Sequence, residues 1–469
     1  MWNKCKEKYQ AKPENKENTS VKYTSNYEKM TSKPIAPLLI ELSIPTIINM
    51  MVTNIYNMAD TSFVGRIGTS ASGAVGVVFG FMSIIQAIGF MFGQGSGSII
   101  SRHLGARQKE KADIVVSTGF TCAILFGTLI ALLCFLFLDP LVYALGSTPT
   151  IAPYAKIYIS YILIAAPGMV GAFLMNNVLR YEGKALLGMI GMCTGAVLNI
   201  AVDPILMFGL DMGIAGAGLS TCLSQYVSFF ILLAMFRTGR TQSCLSLRNV
   251  HFDPSLILNI MGTGMPSLVR QGLNSGATIL LNMTAGLYGD AAVAGMSIVT
   301  RIVFFVFSAA LGIGQGFQPI SGFSYGARRF SRLRKAFWTT MLFAESLMLV
   351  LAVIVFVNAV PILRIFRDDP EVISVAERAL KLQLISQLFL PPCMCIEMLL
   401  QSTGRKLSAS FMSALRSGLL FIPALLILSA LRGLPGIQEA QPVATVLSIL
   451  PAILVGGFYL KKLPKEDGT

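Results

Sequence analysis

The chain has 469 residues, of which 54% are hydrophobic and 13% are charged, and its formal net charge is +14. Soluble domains carry about 25% charged residues, so this composition excludes an ordinary soluble protein. Apolar stretches of about 20 residues recur along the chain, and each is long enough to span a bilayer. The sequence therefore predicts an all-α integral membrane protein.

Residues 1–34 differ from the rest of the chain. They hold eight Lys and four Glu, are rich in Asn and Thr, and lack an apolar core. The charges are not followed by the hydrophobic stretch that a signal peptide requires. We therefore expect a disordered tail.

Twelve transmembrane helices are predicted after this tail. Several are longer than a perpendicular crossing needs, which implies that they tilt or extend beyond the bilayer. The predicted helices cover residues 36–60, 71–98, 112–138, 153–179, 184–208, 213–236, 256–287, 292–318, 333–359, 372–400, 405–430 and 440–460.

Positive charge marks every second loop. The loops between these basic ones hold only Arg66, Arg364, Arg367 and Arg432. Lys and Arg favour the cytoplasmic side, so both termini are predicted to be cytoplasmic. This asymmetry suits a surface of anionic lipid headgroups, and we expect no nucleic-acid partner. The basic segments are 1–34, 101–111, 180–184, 237–248, 328–335, 405–406 and 461–465.

A seven-residue skeleton occurs twice in the chain, 221 positions apart. Such a duplication in an apolar chain is typical of a transporter whose site lies between or within the two halves. The glycines of both copies lie in apolar helices, where we expect them to allow close helix packing. Gly93, Gln94, Gly95, Ile99, Gly105, Ala106 and Arg107 recur as Gly314, Gln315, Gly316, Ile320, Gly326, Ala327 and Arg328.

Each repeat holds six predicted helices, so both repeats enter the membrane from the same side. The predicted fold is therefore two parallel six-helix bundles. The domains are a basic cytoplasmic tail (1–34), an N-lobe (35–236), a cytoplasmic linker (237–255), a C-lobe (256–460) and a short cytoplasmic tail (461–469).

Polar residues within the apolar helices of the N-lobe are candidates for an ion site, because a charge in the membrane is costly unless it is paired or faces water. They are Asp60, Tyr158, Asn199, Asp203 and Thr221. Asn199 and Asp203 lie four residues apart, hence on one helical face, and Pro204 frees a backbone carbonyl one turn earlier. Counting residues from the helix ends places all five in the outer part of the bilayer.

These carboxylate, amide, hydroxyl and carbonyl oxygens suit Na⁺, and two close carboxylates also suit a proton carrier. Simpler interpretations remain open for each residue. Asp60 could cap a helix end at the interface, and Asp203 before Pro204 could mark a helix end or kink. Asn199 and Thr221 could make interhelical hydrogen bonds.

The predicted C-lobe helices carry a different set of polar residues. They are Arg270, Gln271, Asn274, Arg301, Glu345, Glu397 and Arg416. Arg270 or Arg416 could form a structural ion pair with Glu397, and the alternative is a direct role in substrate binding or coupling.

An integral membrane enzyme is another class of function to consider. It would need a paired His and Asp, or a nucleophile with a base. The two His and eight Cys of the chain show no such pattern and no spacing typical of a metal or haem site. We therefore expect no enzymatic activity and no cofactor.

The sequence resembles the multidrug and toxic compound extrusion (MATE) transporters over about residues 35–460. The motifs are Ile44-Pro45, NMADTSFVGRIG at 57–68, GQGSGSIISRHLGAR at 93–107, LNIAVDPILMFGLDMGIAGAGLST at 198–221 and GIGQGFQPISGFSYGAR at 312–328. The resemblance implies efflux of mainly cationic, amphipathic compounds in exchange for Na⁺ or H⁺. It also implies a cation site at Asp60, Asn199, Asp203 and Thr221 with Tyr158 nearby, and a first helix that bends at Pro45. Another branch of the family has acidic residues on the seventh helix, where this chain has Arg270.

We therefore expect a monomeric multidrug antiporter in the cytoplasmic membrane of a bacterium, in contact with membrane lipids and working by alternating access. Its substrate cavity is predicted to include Thr53, Asn57, Asn176, Arg270, Gln271, Asn274 and Glu397. The alternative is a lipid or polysaccharide flippase of a related fold, in which Arg270, Arg301 and Arg416 would line a larger cationic cavity. A transporter of the major facilitator type also has two parallel repeats, but its charged loop motif is absent here.

Overall fold

The computed structural model describes residues 26–467, and nearly all of this part is helical. A helix occupies each of the twelve predicted places, and short helices at residues 26–32, in α4 and in α11 were not predicted. The helices are α1 (Ile35–Gly65), α2 (Thr69–Gly105), α3 (Lys109–Leu136), α4 (Leu138–Ala144), α5 (Ala152–Tyr181), α6 (Ala185–Pro204), α7 (Gly213–Arg237), α8 (Pro254–Gly286), α9 (Asp290–Gly326), α10 (Phe330–Val357), α11 (Ala359–Phe366), α12 (Pro370–Gln387), α13 (Leu390–Ser402), α14 (Lys406–Ala414), α15 (Phe421–Arg432), α16 (Leu434–Leu447) and α17 (Ile449–Lys462).

Within the described residues, ten helical stretches are long and apolar enough to cross a membrane, and the bent pair α12 and α13 makes eleven. The remaining long helix, α8, has 33 residues, but its Asn, Gln, Ser, Thr and Gly residues dilute the apolar ones. The all-α class is confirmed, and the protein has the helices of a multi-pass membrane protein. The crossing of all twelve predicted helices and the orientation of the termini stay predictions.

Irregular turns interrupt several of the long predicted helices. A π-helix at Ile205–Gly209 follows Pro204, which has no N–H to donate to the preceding turn. A second π-helix occupies Leu415–Leu419 between α14 and α15. The chain bends by 52° between α12 and α13, where prolines at the start of α13 remove further backbone donors. Such breaks re-aim the side chains that follow them.

Glycines of the repeated motifs form close backbone contacts between the first half (35–237) and the second half (254–462). A Cβ added to Gly95 would lie 2.1 Å from the carbonyl oxygen of Ile260, and one on Gly326 would lie 2.1 Å from that of Arg102. Because backbone atoms cannot move aside, only glycine allows these helices to approach so closely. We call this region, where α2 and α9 end, the motif end of the bundle.

Away from the motif end, open space lies beside the glycines of α2 and α8. Gly76 and Gly80 in α2, and Gly272 and Gly276 in α8, have no heavy atom within 4 Å of an added Cβ. The expectation that the motif glycines permit close helix packing is therefore confirmed at the motif end. Farther from that end, nothing packs against the four glycines of α2 and α8.

A buried polar chain joins the halves near the motif end. Arg180 of α5 is only 3% exposed. Its guanidinium donates to the carbonyl oxygen of Gln315 at 2.9 Å and to Oε1 of Gln318 at 2.8 Å. Gln318 Nε2 then donates to Gln401 Oε1 at 2.9 Å, and Gln401 in turn donates to Ser267 at 3.0 Å. Satisfied hydrogen bonds of this kind hold two packed surfaces in one register.

Residues 26–34, which the sequence places in a disordered tail, are ordered by contacts with both halves. Arg332 Nη2 donates to the carbonyl oxygen of Lys33 at 2.6 Å, and Asn26 Nδ2 donates to that of Glu182 at 3.1 Å. Met30 is fully buried. Arg332 and the residues that bury Met30 lie far from this segment in the sequence. The composition of the segment therefore does not predict these contacts. Residues 1–25 and 468–469 lie outside the described part of the chain.

The connection between the halves is also held in place. The buried carboxylate of Glu182, at the end of α5, accepts hydrogen bonds from the N–H groups of Gln242 at 2.7 Å and Ser243 at 2.8 Å, and from the Ser243 hydroxyl. Burial raises the pKa of the Glu182 carboxyl above its ordinary value, although these hydrogen bonds oppose the change. The predicted linker is therefore fastened to the first half.

Candidate cation-binding site

Four helices of the first half bring the five predicted residues together. Asp60 lies on α1, Tyr158 on α5, Asn199 and Asp203 on α6, and Thr221 on α7. Asp203 and Tyr158 are fully buried, and the other three are at most 7% exposed. Residues separated by up to 161 positions thus share one interior region.

Long hydrogen bonds connect the members of this cluster. The hydroxyl of Tyr158 donates to Oδ2 of Asp60 at 3.3 Å. Nδ2 of Asn199 donates to Oδ1 of Asp203 at 3.3 Å and to Oγ1 of Thr221 at 3.4 Å. Asp60 and Asp203 are also close enough to interact electrostatically. Donor–acceptor distances of this length leave the cluster loosely tied, as expected of groups that can turn toward another ligand.

Several oxygen atoms of the cluster are buried and lack a hydrogen-bond donor among residues 26–467. They are Oδ1 of Asp60, Oδ1 of Asn199, Oδ2 of Asp203 and the hydroxyl of Tyr56. Neither aspartate forms an ion pair with a Lys or Arg of that part of the chain. A buried, unpaired carboxylate costs several kcal/mol, so a bound cation or a proton is needed to stabilise it. The free oxygens are the ligands that a hard cation such as Na⁺ prefers.

The local sequence explains how α6 presents its two ligands. Asn199 and Asp203 are one turn apart, on the same face of the helix. Pro204 ends the regular hydrogen bonding, and the π-helix Ile205–Gly209 follows directly. The wider turn is tolerated because Pro204 supplies no donor, and π-turns recur at functional sites. The break therefore lies immediately beyond the carboxylate of Asp203.

A small cavity adjoins the cluster. Its walls include Thr53 and Tyr56 of α1, Asn199 of α6, and Thr221 and Gln225 of α7. The space open to the centre of a water-sized sphere is about 20 Å³, which is room for a water molecule or a small ion. The cavity borders Tyr56, Asn199 and Thr221 of the cluster but neither aspartate, so an ion would have to move beyond it to reach the carboxylates.

Two participants were missed at the level of sequence. Tyr56 precedes Asp60 by one helical turn, so the four-residue spacing that linked Asn199 with Asp203 would also have found it. Ser220 accepts a hydrogen bond from Asn199 Nδ2 at 3.3 Å. Its only sequence signal is its position next to Thr221.

The seven residues predicted for the substrate cavity do not line one common cavity in the structure. Thr53 lines the cavity just described, and Arg270 and Glu397 line a second cavity within the other half. The remaining four line neither of these two cavities: Asn57, Asn176, Gln271 and Asn274.

An ion pair joins Arg270 and Glu397 in the second half. Arg270 Nη1 lies 2.6 Å from Glu397 Oε1, and both side chains are nearly buried. The hydroxyl of Ser413 donates to the same oxygen at 2.6 Å. This is one of the two pairings that the sequence left open. Arg301 lies on the exposed surface of α9.

Comparisons with known proteins agree with this architecture. The chain is 26% identical over 373 residues to the multidrug export protein MepA of Staphylococcus saprophyticus. The aligned residues cover 80% of this chain and 82% of that protein. The MepA of Staphylococcus haemolyticus is 27% identical over 376 residues, with the same coverage.

Solved structures give the same answer. A MATE protein in complex with MaL6 superposes with a TM-score of 0.89 and 25% identity, over 94% of this chain and 99% of that one. The outward-facing structure of a multidrug resistance MATE family transporter gives a TM-score of 0.87 and 25% identity, over 93% and 100%. The family model MatE matches residues 45–205 and again 266–427, once in each half. The chain therefore belongs to the MatE family of multidrug and toxic compound extrusion transporters.

Proposed function

We propose that this protein is a multidrug efflux antiporter that exports organic, mainly cationic amphipathic compounds in exchange for Na⁺ or H⁺. The observation that carries the proposal is the group of free, buried oxygens on Asp60, Asn199 and Asp203. Two carboxylates without a cationic partner make a site that is incomplete until a cation or protons arrive. The MepA relatives are multidrug export proteins by name, which supports small-molecule efflux.

In the proposed cycle, the coupling ion enters from the extracellular side and binds between α1 and α6. Neutralising Asp60 and Asp203 removes their mutual repulsion and draws α1 toward α6. Pro45, inside α1, is a point at which this helix can bend, because proline leaves one backbone carbonyl without its donor. The resulting change weakens drug binding in the outward-open state. By linkage the ion and the drug oppose each other's binding, typically by about 1–3 kcal/mol.

We take the open space beside α2 and α8, away from the motif end, as the opening of the outward-open state, from which this cycle starts. We place the motif end on the cytoplasmic side, because the basic loops adjoin it, so this space opens outward. In this arrangement twelve helices form two lobes with both termini in the cytoplasm. The protein works as a monomer in the cytoplasmic membrane of a bacterium, surrounded by lipid.

The deciding experiment is drug uptake into inverted membrane vesicles, with Na⁺ and H⁺ gradients imposed separately. Asp203→Asn should abolish uptake driven by either gradient, because it removes one of the two charges that the ion compensates. Asp211→Asn is the matched control. Asp211 is exposed, lies eight positions later and has a φ of 52°, a conformation that Asn adopts readily. Undiminished uptake by Asp203→Asn, or uptake that needs neither gradient, would contradict the proposal.

The flippase alternative requires one cationic cavity built from Arg270, Arg301 and Arg416. Arg301 is exposed on α9 and does not line the cavity that the other two border. Arg270 is already paired with Glu397. We therefore favour the antiporter.

A further inference from the structure

The second half contains a cavity with an excess of positive charge. Its charged walls are Arg270 of α8, Glu397 of α13 and Arg416 of the π-helix Leu415–Leu419. Glu397 is already satisfied by Arg270 and by Ser413, each at 2.6 Å from Oε1. Two guanidinium groups thus face one carboxylate, which leaves one positive charge uncompensated.

Arg416 carries this excess charge. Within residues 26–467 its guanidinium makes no hydrogen bond or ion pair, and it interacts with Glu397 only at longer range. The guanidinium lies over the ring of Phe307, with 5.1 Å from the guanidinium carbon to the ring centroid. A cation–π contact stabilises the charge but leaves the five N–H donors of the guanidinium without acceptors. A largely enclosed arginine of this kind has room for an anionic ligand.

The bend between α12 and α13 adds a second favourable field. The helix α13 begins at Leu390, and Leu390 and Cys393 both line the cavity. The first turn of a helix carries the positive end of the helix dipole. Broken membrane helices often direct this end at anionic groups. The dipole and Arg416 therefore act on the same space.

The size of the cavity limits what can bind. About 10 Å³ is open to the centre of a water-sized sphere, which corresponds to one small molecule or ion. The hydroxyls of Ser413 and Ser448 also line the cavity, but they already donate to Glu397 Oε1 and to the carbonyl oxygen of Thr445. Leu311, Met394 and Met412 supply apolar walls, so Arg416 is left as the donor to a ligand. A small, weakly hydrated, singly charged group fits this mixed lining better than a multiply charged one, which would have to lose more hydration.

We propose that this cavity binds a monovalent anionic group at Arg416, either a free halide or the carboxylate of a transported compound. The two sources share one chemistry, a compact single negative charge that accepts hydrogen bonds from the guanidinium of Arg416. Binding of an anion in the second half is independent of the cation coupling proposed for the first half, so either can fail without the other. If the anion is a substrate carboxylate, the transported compounds include zwitterions as well as cations.

The test uses the purified full chain in detergent at constant Na⁺ and ionic strength. Its thermal unfolding midpoint is measured in chloride, in acetate, and in the bulky sulfonate 2-(N-morpholino)ethanesulfonate, which is too large for the cavity. Chloride or acetate should raise the midpoint in a saturable way relative to the sulfonate. Arg416→Gln should weaken the apparent affinity by about tenfold or more, because charge-assisted hydrogen bonds are lost. The matched control is Arg301→Gln, which removes an exposed arginine outside the cavity and should behave as the unaltered protein.

The pattern of the two anions identifies the source. A response to chloride indicates a free inorganic anion, and a response to acetate alone indicates a substrate carboxylate. No response to either anion, or an equal response in Arg416→Gln, overturns the proposal. If Arg416→Gln does not fold, crystals of the unaltered protein are soaked in bromide and, separately, in acetate. A bromide anomalous peak or acetate density within hydrogen-bonding distance of the Arg416 guanidinium is expected, and the absence of both at saturating concentrations overturns the proposal.

Discussion

Gly264 of α8 lies against Met91 of α2 so closely that a Cβ on the glycine would be 1.8 Å from the methionine carbonyl oxygen. The obstacle is main chain on a neighbouring helix, so no side-chain rotation can relieve it. At this contact the distance between α2 and α8 depends on one missing methyl group.

Gly264→Ala should therefore force the halves apart near the motif end. We expect a lower thermal unfolding midpoint and loss of most drug efflux. Gly276→Ala on the same helix is the control, since an added Cβ there meets no atom within 4 Å and alanine favours the helix by about 1 kcal/mol. Equal midpoints for the two variants would show that the contact is not tight.

Tyr158→Phe removes the one donor to Asp60 Oδ2 and leaves both oxygens of that carboxylate without a hydrogen bond from residues 26–467. We expect a loss of about 1–3 kcal/mol in the free energy of unfolding, and we expect Na⁺ or low pH to restore part of it. The measurement is chemical or thermal unfolding with and without Na⁺. Tyr226→Phe, which removes a hydrogen bond to the carbonyl oxygen of Ile164 near the protein surface, should lose less, and its response to Na⁺ should equal that of the unaltered protein.

Arg270→Gln should be more damaging than the paired change Arg270→Gln with Glu397→Gln. The single variant leaves a nearly buried carboxylate without its ion-pair partner, which typically costs about 3–5 kcal/mol. The double variant removes both charges and should recover part of that loss. A double-mutant cycle on unfolding free energy measures the coupling. Strictly additive losses would mean that the 2.6 Å pair contributes nothing specific.

The attachment of the linker to Glu182 should weaken as pH rises. Burial raises the pKa of this carboxyl above its ordinary value of 4.5. Between 4.5 and the raised pKa the unfolded chain has released the proton while the folded chain still holds it. Stability is therefore highest below pH 4.5 and falls as pH rises through that window.

Protease cleavage within residues 237–255, followed across this pH range, measures the effect. Glu182→Gln has no titrating group at this position, so its cleavage rate, corrected for the protease's own pH profile, should vary less with pH. A cleavage rate that falls with rising pH in the unaltered protein, relative to Glu182→Gln, would contradict the sign.

The positions of the helices could be predicted because long apolar stretches and turn residues are local properties. The interruptions were only partly predictable. Pro204 predicts the break after α6. The π-helix around Arg416 contains no proline, so it depends on contacts with neighbouring helices. The bend before α13 has a local signal in the prolines that begin that helix, yet its angle depends on the neighbouring helices.

The candidate ion site was accessible to sequence reasoning because acids inside apolar helices are rare, whereas Ser220 has no such contrast. Arg180 shows the limit of counting charges. It belongs to a basic segment at the end of a helix, so its charge indicates a loop exposed to the cytoplasm, but its guanidinium is buried between the halves. One acceptor, Asn177, lies three positions earlier. The two in the other half, Gln315 and Gln318, are neutral and more than 130 positions away, and no pattern in the sequence connects them with Arg180.

Residues 26–34 have a consequence for the energetics of the transport cycle proposed above. They are bonded to Glu182 in the first half and to Arg329 and Arg332 in the second, so the motif end cannot open until one set of these bonds breaks. The docking free energy of this segment is therefore part of the difference between the outward-open and inward-open states. Any molecule, modification or fused tag that peels the N-terminus away would shift the resting population toward inward-open transporters without touching the ion or the drug.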